Sequence, residues 1–298
     1  MISSGFLDID EVIGGIEIPE FIIVGGSTSS GKTSFLTSLI KKLSIEKKIP
    51  STYFNFQTTN KLLFNRFLSN ITEIPLKQFL NLRLNDSEKH NIFHKTPELE
   101  TAPIRFEEKL NQSTLESLRK QIVYSIQQNQ SNIFVIDNIH FLHTIIYGEK
   151  NKSINNTIRE LKSISKEFNI TIIGALDIDD NKIFARSDRR PKLLDFLNYT
   201  EVEETADLIF LIYRPELYKI YTWENDSPCY NQAEVIIAKN RMGPTGTSIL
   251  SYYSDFKKFE NFNSAEQFEQ SPQSFRDIKI MSQNINISNY EDDDDFPF

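Results

Sequence analysis

The sequence predicts an α/β domain with a mostly parallel sheet that helices cover on both faces. Short apolar runs alternate with segments of helical periodicity along the chain, which is the order of elements in that fold class. Several runs are apolar throughout, so both faces of the sheet are expected to be buried. A glycine-rich motif separates the first run from the first helical segment, the place where such folds bind phosphate.

The first strand is predicted at residues 21–25, where FIIVG is apolar and ends in glycine. Helical spacing of apolar residues follows from Lys32 to about Lys48, and Pro50 ends it. Further strands are predicted at 52–56, 133–136, 170–176, 207–213 and 233–238, and helices at 60–69, 114–128 and 153–168. Residues 247–262 are predicted to be an edge hairpin strand followed by its exit.

Composition is that of an ordinary globular protein, with 298 residues, 39% of them hydrophobic and 25% charged. The single cysteine, Cys229, excludes an intrachain disulfide and fits a reducing compartment. No apolar run approaches the roughly 18 residues that a membrane span needs, and the N-terminus lacks the pattern of a signal peptide. The sequence therefore predicts a soluble, cytoplasmic protein without a membrane partner.

The formal net charge is −8, and residues 291–295 are all acidic, so the body of the chain is only weakly acidic. Such a balance neither supports nor excludes binding to nucleic acid. Residues 1–262 are predicted to form the folded domain. Residues 263–298 are rich in Ser, Gln, Asn and Asp and are predicted to be a disordered linker and acidic tail.

The motif G-x-x-x-x-G-K-[ST] is complete between the first strand and its helix. Glycines allow backbone amides to turn around phosphate oxygens, and the amino end of the helix favours the same anion. Lys32 is expected to bind the β- and γ-phosphates of ATP, and the Thr33 hydroxyl to bind Mg²⁺. The alternative is a Gly/Ser-rich turn that binds nothing. The predicted nucleotide-binding residues are Gly26, Ser27, Thr28, Ser29, Ser30, Gly31, Lys32, Thr33 and Ser34.

Asp137 ends the apolar run IFVID, where a second carboxylate would hold Mg²⁺ through water. An aspartate at the end of a strand can instead cap the next turn. Because a complete phosphate loop accompanies it, the metal role is favoured.

Several segments resemble the C-terminal motor domain of the DnaB-type replicative helicases. The similarity covers about residues 4–262 and is carried by SGFLDIDEVIGGI, FNFQTTNKLLFNRFLSN, VIDNIHFL, DRRPKLLDFLNYTEVEETADLIFLIYRPELY and KNRMGPTGT. The resemblance implies a RecA-like P-loop fold, a hexameric ring with ATP at each subunit interface, and single-stranded DNA in the central channel. It also implies that Lys239 and Arg241 bind the γ-phosphate of a neighbouring subunit, the alternative being a solvated basic turn.

Three departures from the family pattern fall on positions that act in catalysis or DNA binding in the family. Gln57 stands where the family has the glutamate that activates water, and an amide cannot accept a proton. Asp177 stands at the position of the γ-phosphate-sensing glutamine, where its charge would repel ATP unless it were protonated or metal-bound. Leu197 replaces an arginine of the DNA-binding loop. These departures predict slow hydrolysis, or a partner that completes the site.

A basic cluster near that loop is a candidate for substitute DNA contacts. Its alternative is a solvated loop. The cluster consists of Arg186, Arg189, Arg190 and Lys192.

The final residues, EDDDDFPF, resemble the C-terminal tip of bacterial single-stranded-DNA-binding proteins. The resemblance implies docking to replication or repair proteins, with Phe298 filling an apolar pocket and the aspartates steering the approach. The alternative is a solubilising tail, or one that competes with DNA. The predicted docking residues are Asp294, Asp295, Phe296, Pro297 and Phe298.

Three functional interpretations remain open on the sequence. The favoured one is an ATP-dependent helicase motor that acts on single-stranded DNA in replication, with Lys32, Gln57, Asp137, Lys239 and Arg241 in its catalytic site. A RecA- or KaiC-like ATPase with another task is the second. The third is a non-catalytic nucleotide-binding adaptor that joins a helicase ring and recruits partners through its tail.

Overall fold

A computed structural model describes residues 1–108, 110, 114–148 and 154–263, without the side chains of residues 197–199. The predicted acidic tail and its docking residues therefore lie outside the described residues. The side chain of Leu197 does so as well.

The described chain forms a sheet of nine strands in the order β3-β2-β4-β5-β1-β6-β7-β8-β9. Strands β1 to β6 are parallel to one another, and β7, β8 and β9 add an antiparallel edge. The strands are β1 Phe21–Gly26, β2 Ser51–Asn55, β3 Ile104–Glu107, β4 Ile133–Asp137, β5 Thr171–Asp177, β6 Leu208–Tyr213, β7 Gln232–Asn240, β8 Gly246–Tyr253 and β9 Lys258–Asn261.

The helices flank this sheet, and several of them begin with a side chain that caps a free amide. Thr59 caps Leu62, Thr114 caps Ser117 and Asn138 caps Phe141. The helices are α1 Leu7–Ile13, α2 Lys32–Ile40, α3 Asn60–Thr72, α4 Leu76–Asn81, α5 Asp86–Glu100, α6 Leu115–Asn129, α7 Ile139–Tyr147, α8 Ile154–Glu167, α9 Asp180–Phe184 and α10 Thr200–Thr205, with a π-helical turn at Lys41–Glu46 and 3-10 turns at Leu193–Tyr199 and Pro215–Tyr218.

Both faces of the sheet are buried, which explains the continuous apolar runs. Along β1, Ile22 and Val24 belong to one apolar cluster, with α2 and α3. Phe21 and Ile23 belong to the other, with α6 and α8. Successive side chains of a strand point to opposite faces, so a strand covered on both sides must be apolar at every position.

The predicted fold class is confirmed, and so is each predicted strand. The predicted exit of the chain within 247–262 is wrong, because β8 turns back into the additional strand β9. Strand β3 and helices α1, α4, α5, α7, α9 and α10 were not predicted. Strand β3 is only half buried and α5 has a single buried residue, Leu99, so neither carries a clear apolar period.

None of the described helices combines the length and the apolar character that would allow it to cross a membrane.

Candidate nucleotide-binding site

The glycine-rich motif forms a compact loop between β1 and α2. The amide of Ser30 donates to the carbonyl of Ser27 at 3.1 Å, and that of Phe35 donates to the carbonyl of Gly31 at 2.8 Å. Gly31 has a φ of 105°, which residues other than glycine rarely tolerate. Residues of this loop and of the first turn of α2 line one cleft, which is where a helix start favours phosphate.

Lys32 lies inside this loop and is 8% exposed. Its Nζ donates to the carbonyls of Gly26 and Ser27, each at 2.8 Å. The same atom lies 2.7 Å from Oδ1 of Asp177. All three protons of the ammonium therefore have acceptors, and the phosphates of a nucleotide would replace some of them.

Asp137 ends β4 beside the phosphate loop and is 2% exposed. Its carboxylate accepts hydrogen bonds from the hydroxyl of Thr33 and, at 2.9 Å, from that of Tyr53. Burial raises the pKa of Asp137, and the bonds from Thr33 and Tyr53 partly offset that rise. The carboxylate and the Thr33 hydroxyl are hard oxygen donors that touch each other, so the pair fits Mg²⁺. The capping role belongs to its neighbour Asn138, which removes the alternative considered for Asp137.

The phosphate loop borders a cleft of about 670 Å³. Gln57 lines it and is exposed, so the amide at the predicted catalytic position faces the ligand space. Four cationic side chains also line it, which suits a polyphosphate. They are Lys32, Arg66, Arg214 and Lys257.

Arg214 and Tyr252 were missed by sequence reasoning and face the same cleft. The guanidinium of Arg214 stacks 3.9 Å from the centroid of the Tyr252 ring, and its Nη1 donates to the carbonyl of Ser29 at 3.4 Å. Arg214 directly follows β6, at the carboxyl edge where open α/β sheets bind ligands. That position was a usable signal, whereas Tyr252 in β8 could not be told from a core residue.

Asp177 ends β5, and its carboxylate also accepts a hydrogen bond from the side-chain amide of Asn138 at 3.1 Å. Protonation or a metal ion was the expected means of offsetting this charge. The ammonium of Lys32 pairs with this carboxylate, and the expectation for the site with ATP bound stays a prediction.

Lys239 and Arg241 lie at the opposite edge of the sheet from the phosphate loop. Lys239 pairs with Ile209 of β6 across the antiparallel ladder. Ile209 in turn pairs with Ile23, near the start of β1. Nη1 of Arg241 lies 3.2 Å from Oδ1 of Asp207, and Lys239 donates to the carbonyl of Glu203. Neither side chain reaches the loop of its own chain, which is the geometry that action on a neighbour requires.

The basic cluster of residues 186–192 is largely paired within the chain. Arg186 lies 2.6 Å from the buried carboxylate of Asp195, and Arg190 lies 2.9 Å from that of Glu234. The alternative of a simply solvated loop is therefore wrong for these two arginines. Lys192 lies 3.7 Å from the carboxylate of Asp188, and the guanidinium of Arg189 lies 5.5 Å from the ring centroid of Phe184. DNA binding by this cluster stays a prediction.

Comparison with known proteins adds family information to this geometry. A family model described as the DnaB-like helicase C-terminal domain matches residues 1–261. A probable replicative DNA helicase of Trieres chinensis is 28% identical over 264 residues, which are 88% of this chain and 57% of the relative. The chain thus spans a little over half the length of the curated relatives that it matches.

Two solved structures share the fold. One, described as an ATPase domain, has a TM-score of 0.77 at 23% identity, over 88% of this chain and 91% of that one. The other is a DnaB-like replicative helicase, solved in a study of its interactions with primase. It has a TM-score of 0.77 at 22% identity, over 88% of this chain and 62% of that one.

Proposed function

The chain belongs to the DnaB-like helicase C-terminal domain family, and on that premise we propose that it is an ATP-dependent motor acting on single-stranded DNA during replication. The observation that carries the proposal is the convergence of Lys32, Thr33 and Asp137 at the carboxyl edge of the sheet. Family membership removes the RecA- or KaiC-like alternative.

The phosphates of ATP are proposed to lie in the phosphate loop. Lys32 would exchange the carbonyls of Gly26 and Ser27 for β- and γ-phosphate oxygens, and the loop amides would donate to the same anion. Thr33 and Asp137 would hold Mg²⁺, which would offset negative charge on the phosphates. We expect the base of the nucleotide to stack on the guanidinium of Arg214, whose other face rests on Tyr252.

We propose that the working form is a hexameric ring, in line with the family. A couplet that cannot reach its own phosphate loop, Lys239 and Arg241, supports this assembly. Each couplet would stabilise charge on the γ-phosphate bound to the next subunit. The basic residues Arg186, Arg189, Arg190 and Lys192 would face DNA, and the protein would act in the cytoplasm.

The terminal residues Asp294, Asp295, Phe296, Pro297 and Phe298 are proposed to dock on replication or repair proteins. The proposal is supported by an aromatic residue after proline, which solubility does not require. Deleting Phe298 should abolish capture of such proteins by the purified chain, whereas replacing Ser274 with alanine should not. Equal capture by both variants would refute the docking role.

The central test is ATP binding and hydrolysis by the full chain, with and without single-stranded DNA. Lys32→Ala should abolish binding and turnover, because it removes a buried ammonium from inside the phosphate loop. Lys120→Ala is the matched control, since Lys120 is exposed on α6. Nucleotide binding without turnover would favour the non-catalytic adaptor, and equal binding by both variants would refute the nucleotide site.

A further inference from the structure

We propose that Asp177 is the general base of ATP hydrolysis in this protein, taking the part that Gln57 cannot perform. The inference rests on the proposed function. It assigns to this chain a catalytic carboxylate at the end of β5, whereas the family pattern places one after β2.

The described residues that line the nucleotide cleft include only one carboxylate, and it is Asp177. A general base must accept a proton from water, which the amide of Gln57 cannot do. Asp137 is nearby, but it is 2% exposed and is engaged by Thr33 and Tyr53. The side chain of Asp177 is 40% exposed, so a water molecule can reach it.

Asp177 is placed at the phosphate end of the cleft by the register of the sheet. It lies directly beside Gly26, the first residue of the phosphate loop, and its Oδ1 is 2.7 Å from Nζ of Lys32. Once Lys32 binds the γ-phosphate, two consecutive hydrogen bonds separate that phosphate from the carboxylate, a span of about 5–6 Å. One water molecule fits between them.

Asn138 fixes the orientation of this carboxylate. Its side-chain amide donates to Oδ2 of Asp177 at 3.1 Å. The other oxygen, Oδ1, is the one that holds Lys32. A carboxylate oxygen has two lone pairs, so Oδ1 can accept a hydrogen bond from the attacking water while it still holds Lys32, and Asn138 keeps the carboxylate in place.

The step that follows is balanced. Asp177 takes one proton from the water molecule, and the water oxygen forms a bond to the γ-phosphorus. The bond between the γ-phosphorus and the oxygen that bridges it to the β-phosphate breaks, and its electron pair leaves with ADP. The products are ADP, inorganic phosphate and one proton, which Asp177 releases to solvent.

The family pattern gives this assignment a simple form. A glutamate at position 57 and a glutamine at position 177 are replaced by Gln57 and Asp177. The carboxylate and the amide have thus exchanged positions in the sequence, and the site keeps one of each.

The test compares Asp177→Asn with the wild-type full chain, measuring both the affinity for a fluorescent, non-hydrolysable ATP analogue and the rate of ATP hydrolysis with DNA. We expect Asp177→Asn to bind the analogue at least as tightly, since Lys32 loses a competing anion. Hydrolysis should fall by about 10²-fold or more. Asp86→Asn, on exposed α5, is the matched control and should change neither quantity. Thermal unfolding should show both variants folded.

A second variant moves the carboxylate from position 177 to position 57. Gln57→Glu combined with Asp177→Asn should recover hydrolysis, because one carboxylate again faces the γ-phosphate. Wild-type hydrolysis by Asp177→Asn, or a double variant as slow as Asp177→Asn, would overturn the assignment. If the wild type hydrolyses ATP and Asp177→Asn hydrolyses it equally fast, only this inference fails. If the wild type binds ATP but never hydrolyses it, the proposed motor function fails as well. If it binds no nucleotide, the proposed function fails.

Discussion

Arg241 provides the sharpest test of how the motor assembles, because the structure places it far from the nucleotide of its own chain. Its amide donates to the carbonyl of Asp207, which lies level with Phe21 at the start of β1. The phosphate loop begins at Gly26, five residues further along the same strand. At about 3.3 Å per residue the separation is about 16 Å, which one side chain does not span.

Arg241→Ala should therefore bind ATP like the wild type but hydrolyse it about 10³-fold more slowly, the effect of losing an arginine that acts from a neighbouring subunit. Lys32→Ala has the complementary defect, since it lacks the phosphate site but keeps the arginine. In an equal mixture of the two variants, half of the phosphate sites and half of the neighbouring arginines are intact. About one quarter of the interfaces in a mixed ring then have both.

The assay is ATP hydrolysis by the two variants, alone and after mixing under conditions that allow subunits to exchange. Independent sites should give the mixture about one quarter of the wild-type rate, although each variant alone is nearly inactive. Arg83→Ala, which removes an exposed arginine beside α4, is the matched control and should keep full activity. A mixture no faster than its components, or full activity of Arg241→Ala, would refute action in trans.

The remaining predictions concern the stability of the fold, the metal-binding carboxylate Asp137 and the stacking of the nucleotide's adenine ring. Burial is the main cause that raises the pKa of Glu20 from 4.5 to about 7. The stability that the protonated Glu20 side chain contributes is therefore fully present below pH 4.5 and is lost as the pH rises through 7. Urea unfolding should show the stability of Glu20→Gln relative to the wild type rising by about 3 kcal/mol between pH 4.5 and 8.5; a difference that does not vary with pH would contradict this. Tyr53→Phe removes a hydrogen bond to buried Asp137 and should lower the free energy of unfolding by about 1–3 kcal/mol, whereas Tyr124→Phe, on half-exposed Tyr124, should not. Arg214→Lys keeps the charge but loses the planar face, so calorimetry should show weaker ATP binding and unchanged tripolyphosphate binding; equal losses for both ligands would exclude base stacking.

Local sequence was enough to predict the features that depend on neighbouring residues. The phosphate loop is one contiguous motif, and its glycines, Lys32 and Thr33 are placed by the strand and the helix on either side. Asp137 was found in the same way, as the last residue of an apolar strand. The buried strands were readable because a sheet covered on both faces requires apolar residues at every position.

Contacts between distant segments were decided by the tertiary structure alone. The pair of Lys32 and Asp177 exists because β5 lies beside β1, and the bond from Tyr53 to Asp137 exists because β2 lies beside β4. The stack of Arg214 on Tyr252 joins the end of β6 to β8, two strands apart. The apolar period of a strand reports burial but not which strand pairs with it. Many residues of the site could thus be identified one by one from sequence, but the order of the strands determined which side chains meet.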